Sequence, residues 1–393
     1  MNLNIEKEVE KIYNELIIIR RNFHMYPELS ELEIKTKEKI CCLLDKWGIE
    51  YTTSENNYGV VGIIKGKKQG ITVAARADMD ALPLTERNDT PYISKNIGVM
   101  HACGHDVHTT ILLGTAKILK KFEDEICGNV KLIFQPSEET VGGARPMIVE
   151  GCLENPDVKY IIGLHVQPFV VAGKIEIKYD NFYAATDEFQ IVVNGKSSHG
   201  AYPEKSVDAI ILSSNLITSL QNIVSRNISP LNSVVISIGK INGGTKSNII
   251  ANEVKIEGIL RTLDEDTRNY TKNRIIEIAN NICSAHGGNC IVEFKGGYKQ
   301  LINDNNVVDI IKKVAIDAIG EDNIYIKQSP TMCGEDFAYF GDKAKSAFYH
   351  LGCGNKNLEI NKPLHSDKFN VDETCIKTGV MLQVKSLLAL LQN

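Results

Sequence analysis

The chain has 393 residues, 43% of them hydrophobic and 24% charged, with a formal net charge of −5. That balance suits a globular protein long enough for two domains, and it is too apolar for a disordered one. Acids and bases are mixed without the basic block that nucleic acid or an anionic membrane demands, so neither is an expected partner.

Apolar residues at helical spacing predict helices over 6–21 and 34–44, with Pro27 in the loop between them. The apolar run Leu16 to Ile19 falls far short of the ~7–15 residues of a signal peptide core or the ~20 of a membrane span. A cytoplasmic location is expected, and the ten scattered cysteines read as reduced thiols. Short β-branched or apolar runs over 60–65, 71–75 and 130–135 predict strands, alternating with helices such as 109–122. This is the pattern of an α/β domain with a covered sheet.

From 187 to 297 the pattern changes to strand 188–193, helix 206–224, strands 234–241 and 253–262, helix 264–284 and strand 290–294. The order β-α-β-β-α-β is the ferredoxin-like arrangement. A helix over 307–319, a short strand near Ile324 and a last helix over 372–391 resume the α/β character. The expected organisation is an α/β domain, residues 1–186 and 298–393, interrupted by an inserted α+β unit at 187–297.

The densest chemistry lies in Met100-His-Ala-Cys-Gly-His-Asp-Val-His108, which holds three of the nine histidines, a cysteine and an aspartate in one short loop before a helix. Imidazole and thiolate are favoured donors for zinc and its neighbours, and Cys103 and His105 can both bind from a tight turn. Phe134-Gln-Pro-Ser-Glu-Glu139 sets adjacent carboxylates just beyond a strand that Pro136 ends, so both can approach one centre. His165, in Gly163-Leu-His165, follows an apolar run and is placed near a strand end; His365 lies in a loop before the last helix. Taken singly, adjacent acids are an ordinary solvated pair and a lone histidine is an ordinary core residue. Five donors at strand or loop ends of one α/β domain outweigh those readings. In Ala77-Asp-Met-Asp80, Asp78 is the expected acid behind a metal-bound histidine.

Seven motifs in order resemble the M20 metallopeptidase family, in its branch of aminoacylase, hippurate hydrolase and auxin-conjugate hydrolase type enzymes. They are Arg21-Asn-Phe-His-Met-Tyr-Pro-Glu-Leu-Ser30, Arg76-Ala-Asp-Met-Asp-Ala-Leu-Pro83, the cluster from His101 to His108, Glu138-Glu139, Ser198-His-Gly200, Gly334-Glu-Asp-Phe337 and Pro363-Leu-His-Ser366. The resemblance implies two divalent ions, Zn, Mn, Ni or Co, on Cys103, His105, Glu139, His165 and His365, with Glu138 as acid/base. It implies that the inserted unit is a lid and dimerisation domain of a homodimer or higher homo-oligomer. His199 there donates to the oxyanion of a neighbouring subunit, and Asn248 and Arg261 contact substrate. The implied reaction is amide hydrolysis of a small N-acyl amino acid, with a dipeptide or an N-acetyl-diaminopimelate-type compound as alternative substrate.

The chain departs from the family pattern at Ser137, Thr140, Ala251 and Cys333; none of these removes a ligand or the base, but they touch pocket walls and so bear on substrate choice. Cys333 is expected to be packed. Two readings from other classes are a non-catalytic metal-binding sensor, which would be expected to lose Glu138 or a ligand, and an iron oxygenase, whose two-histidine, one-carboxylate site leaves the paired glutamates and the cysteine unexplained.

Overall fold

The computed structural model describes residues 4–393. The chain forms two compact units, one of residues up to Phe182 with Ile302–Ser329 and Asp336–Asn393, the other of Tyr183–Leu301 with Pro330–Glu335. The second unit thus starts four residues before the expected boundary, ends four after it, and takes in a further short segment. The Ala184 N–H explains that segment, since it is shared between the carbonyls of Thr331, at 3.0 Å, and Cys333, at 3.1 Å. Cys333 itself is exposed rather than packed, and all ten cysteines are free.

The first unit is built on an eight-stranded mixed sheet in the order Glu50–Thr53, Val60–Lys65, Cys127–Gln135, Lys68–Asp78, Val158–Val171, Lys345–Gly354, Ile175–Ile177, Ile324–Ile326. The four longest strands, at the centre, are mutually parallel. Their residues are buried on both faces, which is why three of them, Cys127–Gln135, Lys68–Asp78 and Val158–Val171, carry apolar runs and not alternation. Helices Ile5–Met25, His105–Lys121 and Cys375–Leu390 pack on one another, and the last two also on the sheet. Leu112, Leu113 and Leu119 of the central helix are fully buried, worth about 1.5–3 kcal/mol each. That helix starts at His105, four residues before the predicted position. Strand Lys345–Gly354 has no counterpart among the predicted elements.

The second unit has a four-stranded antiparallel sheet in the order Asn289–Lys295, Ala185–Asn194, Glu253–Thr262, Val234–Gly243, crossed by helices Ala209–Asn222 and Glu265–Ala285. This is the ferredoxin-like arrangement that the element order predicts. The first helix begins later than predicted because Asp208 caps it, accepting from Ile210 N and Ile211 N; Asp264 caps the second through Thr267 N. No helix among the described residues is long and apolar enough to cross a membrane.

Candidate metal centre

Parallel strands Lys68–Asp78, Cys127–Gln135 and Val158–Val171 carry Asp78 and Asp80, the Glu138–Glu139 pair and His165 on or just beyond their length. His165 lies mid-way along its strand of 14 residues, not near the end. Gly104 caps helix His105–Lys121 with φ 89, and a Cβ there would lie 2.3 Å from Val166 Cγ2. Only glycine takes that backbone in that gap, and the turn lets the residues on either side of it share one centre. His365 comes in on a separate loop, tied by its N–H to Ala102 O at 2.9 Å.

Five overlapping groups of candidate donors result among the described residues, each with ligand atoms within 4.8 Å of one another: Cys103, His105 and His165; Cys103, Glu139 and His365; His105, Glu138 and Glu139; Asp78, His105 and His108; Glu138, Glu335 and Asp336. The first two share Cys103. Cys103 Sγ is 3.3 Å from His165 Nε2, and Glu139 Oε1 is 3.8 Å from His105 Nε2 and 3.4 Å from His365 Nε2. Hydrogen bonds behind two of the histidines fix which nitrogen faces the centre. His165 Nδ1 donates to Val166 O at 2.8 Å, and His105 Nδ1 is 3.2 Å from Asp80 Oδ1, so both rings turn Nε2 inward.

His105 Nε2 and Glu139 Oε1 are buried without a hydrogen-bond partner. Leaving such atoms unpaired costs about 1–3 kcal/mol each, and a divalent ion is what a thiol, imidazoles and carboxylates at this spacing can offset that cost with. Charge makes the same demand. Burial opposes a charge on His105, yet Asp78, then Asp80 and Glu139, push its pKa up to about 10. Burial, then Glu139 and Glu138, hold the Cys103 thiol well above its ordinary value. The acids therefore call for a cation, and a metal competes with protons for these donors.

The acid on His105 is Asp80; Asp78, expected in that role, bonds His108 Nδ1 at 2.6 Å and Arg76 at 2.7 Å. The oxygen that takes the Arg76 bond, Oδ2, is also 3.8 Å from His105 Nε2. His108 Nε2 in turn accepts the Val166 N–H at 2.9 Å, so both its nitrogens are engaged and it is a scaffold rather than a ligand. Asp80 also accepts from Ser30 Oγ at 2.7 Å and Glu139 N at 3.0 Å, and thereby joins three segments. Arg76 extends the network to Asp336 at 2.8 Å. Ser30, Asp80 and His108 lie inside or beside quoted motifs, but nothing local in the sequence pairs them.

In the second unit, the backbone brings His199 beside Asn248. His199 pairs with Ile249 in an antiparallel bridge, and Gly200 N–H donates to Asn248 O at 2.8 Å. The His199 ring is exposed, and its Nδ1 accepts the Ala201 N–H at 3.0 Å, which leaves the proton on Nε2. Arg261 is half-buried on strand Glu253–Thr262, with Nη1 on Leu260 O at 3.1 Å.

Residues 74–389 match the profile of peptidase family M20/M25/M40. An N-acetyl-L-cysteine deacetylase of Bacillus subtilis is 39% identical over 362 residues, 92% of this chain and 85% of that protein. Thermostable carboxypeptidase 1 of Saccharolobus solfataricus is 38% identical over 384 residues, 96% and 95% of the two chains. Among solved structures, YXEP of Bacillus subtilis, described as a dinuclear metal binding peptidase from the M20 family, superposes with a TM-score of 0.84 at 31% identity, covering 98% of this chain and 99% of that one.

Proposed function

This chain belongs to peptidase family M20/M25/M40 and is a metal-dependent hydrolase; from that premise we propose that it cleaves the amide bond of small N-acyl amino acids, releasing a carboxylic acid and a free amino acid. The observation that carries the proposal is the pair of buried atoms without a hydrogen-bond partner, His105 Nε2 and Glu139 Oε1, set among Cys103, His165 and His365 with Glu138 alongside.

In this reading Cys103, His105, Glu139, His165 and His365 hold two divalent ions, Zn, Mn, Ni or Co. Bound there, the ions supply Lewis acidity, which brings the pKa of water from 15.7 to about 7 and polarises a carbonyl. Glu138, buried next to the Glu139 ligand, takes the proton from the attacking water and delivers it to the leaving nitrogen. Asp80 keeps His105 in the tautomer that turns Nε2 inward. His199 donates from Nε2 to the oxyanion of a neighbouring subunit in a homodimer. Asn248 and Arg261 bind the amino-acid portion, Arg261 by pairing with its carboxylate.

The test is release of free amine from a panel of N-acyl amino acids and dipeptides, by metal-loaded protein with a chelated control. Metal-dependent release from the N-acyl members is expected. Release from dipeptides alone would make the enzyme a dipeptidase, and none from either would sink the reading.

A further inference from the structure

The loop that carries Glu138 and Glu139 is held by a residue that the proposed chemistry does not use. Glu33 is fully buried, and its Oε1 accepts the Ser137 N–H at 2.8 Å and the Ser137 hydroxyl at 3.2 Å. That hydroxyl oxygen also accepts the Glu31 N–H at 2.9 Å. Ser137 sits in the left-handed region at φ 59, a backbone that side chains of this kind keep only when their surroundings impose it. Beyond the glutamates the loop closes on itself. Gly142 N–H donates to Ser137 O at 2.9 Å, and a Cβ on Gly143 would lie 1.9 Å from Pro136 O.

Glu33 occupies the N-cap of helix Ile34–Lys46, where a polar side chain ordinarily bonds the first free amides of its own helix. It makes no such bond. Glu28 does that work instead, with Oε2 accepting Thr36 N at 2.8 Å and Oε1 accepting Lys35 N at 3.2 Å. Glu33 is thereby released to reach Ser137. Its second oxygen is buried without a hydrogen-bond partner, an arrangement that a fold retains only against a cost. Burial, and then Asp80, push its carboxyl up to about 7.

We propose that Glu33 is a positioning residue: its carboxyl holds Ser137 in the left-handed turn that places Glu138 at the metal centre, and so governs the rate and not substrate affinity. The proposal rests on Glu138 being the base. Its test compares Glu33→Gln, Glu33→Leu and Glu138→Gln in the metal-loaded full chain. Glu33→Gln keeps an acceptor for the Ser137 N–H and should hold kcat within roughly threefold of the parent. Glu33→Leu keeps the bulk without the acceptor; kcat should fall by about ten- to a hundredfold, with KM and bound metal unchanged. In the same loaded proteins, amide hydrogen exchange over 136–143 should quicken in Glu33→Leu and not in Glu33→Gln.

Parental kcat and exchange in Glu33→Leu would overturn the proposal. So would equal damage from Gln and Leu, or loss of metal in step with rate. Parental turnover in Glu138→Gln would remove the base reading and, with it, the claim about rate. Exchange would still decide whether Glu33 holds the loop.

Discussion

Two buried charged clusters meet at the first turn of helix His105–Lys121, and neighbouring residues serve them by opposite rules. His105 faces Asp78, Asp80 and Glu139, and its Nε2 has no hydrogen-bond partner. Asp106 faces cations that the chain itself provides. Its Oδ2 is 2.9 Å from Arg20 Nε and 2.8 Å from His24 Nδ1, His24 Nε2 is 3.1 Å from Glu86, and Arg20 Nη1 is 3.3 Å from Glu373. The second cluster is balanced in charge and not in hydrogen bonds: Arg20 Nε, Asp106 Oδ1 and both ring nitrogens of His101 have no hydrogen-bond partner, and burial pushes the His101 pKa down to about 4, so it stays neutral. Where the sequence balances its own buried charges, the result is an anchor. Where it leaves acids in excess around imidazole and thiol, the balance has to come from outside.

The comparison is tested most severely at the glutamate pair. Glu138→Ala should bind metal like the parent but lose about 10²–10⁴-fold in turnover, whereas Glu139→Ala should lose metal. Metal analysis beside kcat separates the two, and parental activity in Glu138→Ala would remove the base. Next in size is the anchor. Asp106→Asn leaves Arg20 without its closest buried partner, and the loss of one member of such a pair costs about 3–5 kcal/mol.

The pH dependence of that loss has a definite sign. Asp106 is held below its ordinary value, against burial, by Arg20 and then His24, so its contribution is present above about 3.9 and fades as pH falls below that. His24 is raised, against burial and Arg20, by Asp106 and Glu86; its contribution is present below about 6.5 and fades as pH rises through its folded value. The Tm gap between parent and Asp106→Asn, measured under chelator, should therefore be widest between about pH 4 and 6.5. A gap that grows steadily towards acid would contradict the pairing.

The sequence was most informative where chemistry is local. Cys103 and His105 flank a glycine, and Glu138 and Glu139 are adjacent, so their convergence could be read from spacing. Strand Lys345–Gly354 was not readable, because Ser346, His350, Gly352 and Gly354 interrupt its apolar residues, so it shows neither the unbroken β-branched run of its buried neighbours nor period-two alternation. The choice between Asp78 and Asp80 was equally closed: one ends the strand and the other lies two residues beyond it, and only the position of His105 against His108 tells them apart. Ser30 and Glu33 act across about 50 and 104 residues of chain, a distance over which no spacing rule operates.

That ambiguity between the aspartates yields a prediction of intermediate size. Asp80→Asn should weaken metal binding about 10–100-fold, the usual cost of losing the acid behind a metal-bound histidine, read by competition with a chelator. Parental affinity in Asp80→Asn would return the role to Asp78 and blur the line between ligand support and scaffold.

The smallest effect is expected at Ser137, where this chain departs from the alanine often found in the family. Ser137→Ala removes the hydroxyl that donates to Glu33 and accepts from Glu31 N, yet the 2.8 Å bond from its backbone N–H to Glu33 survives. Glu31 is exposed, so water can take up its freed N–H. One net hydrogen bond is worth about 0.5–1.5 kcal/mol, so Tm should drop by a few degrees at most. Turnover should stay within about threefold of the parent, because the turn is fixed through the main chain. A loss in Ser137→Ala as deep as that in Glu33→Leu would mean that the side chain, and not the backbone, holds the metal face in place.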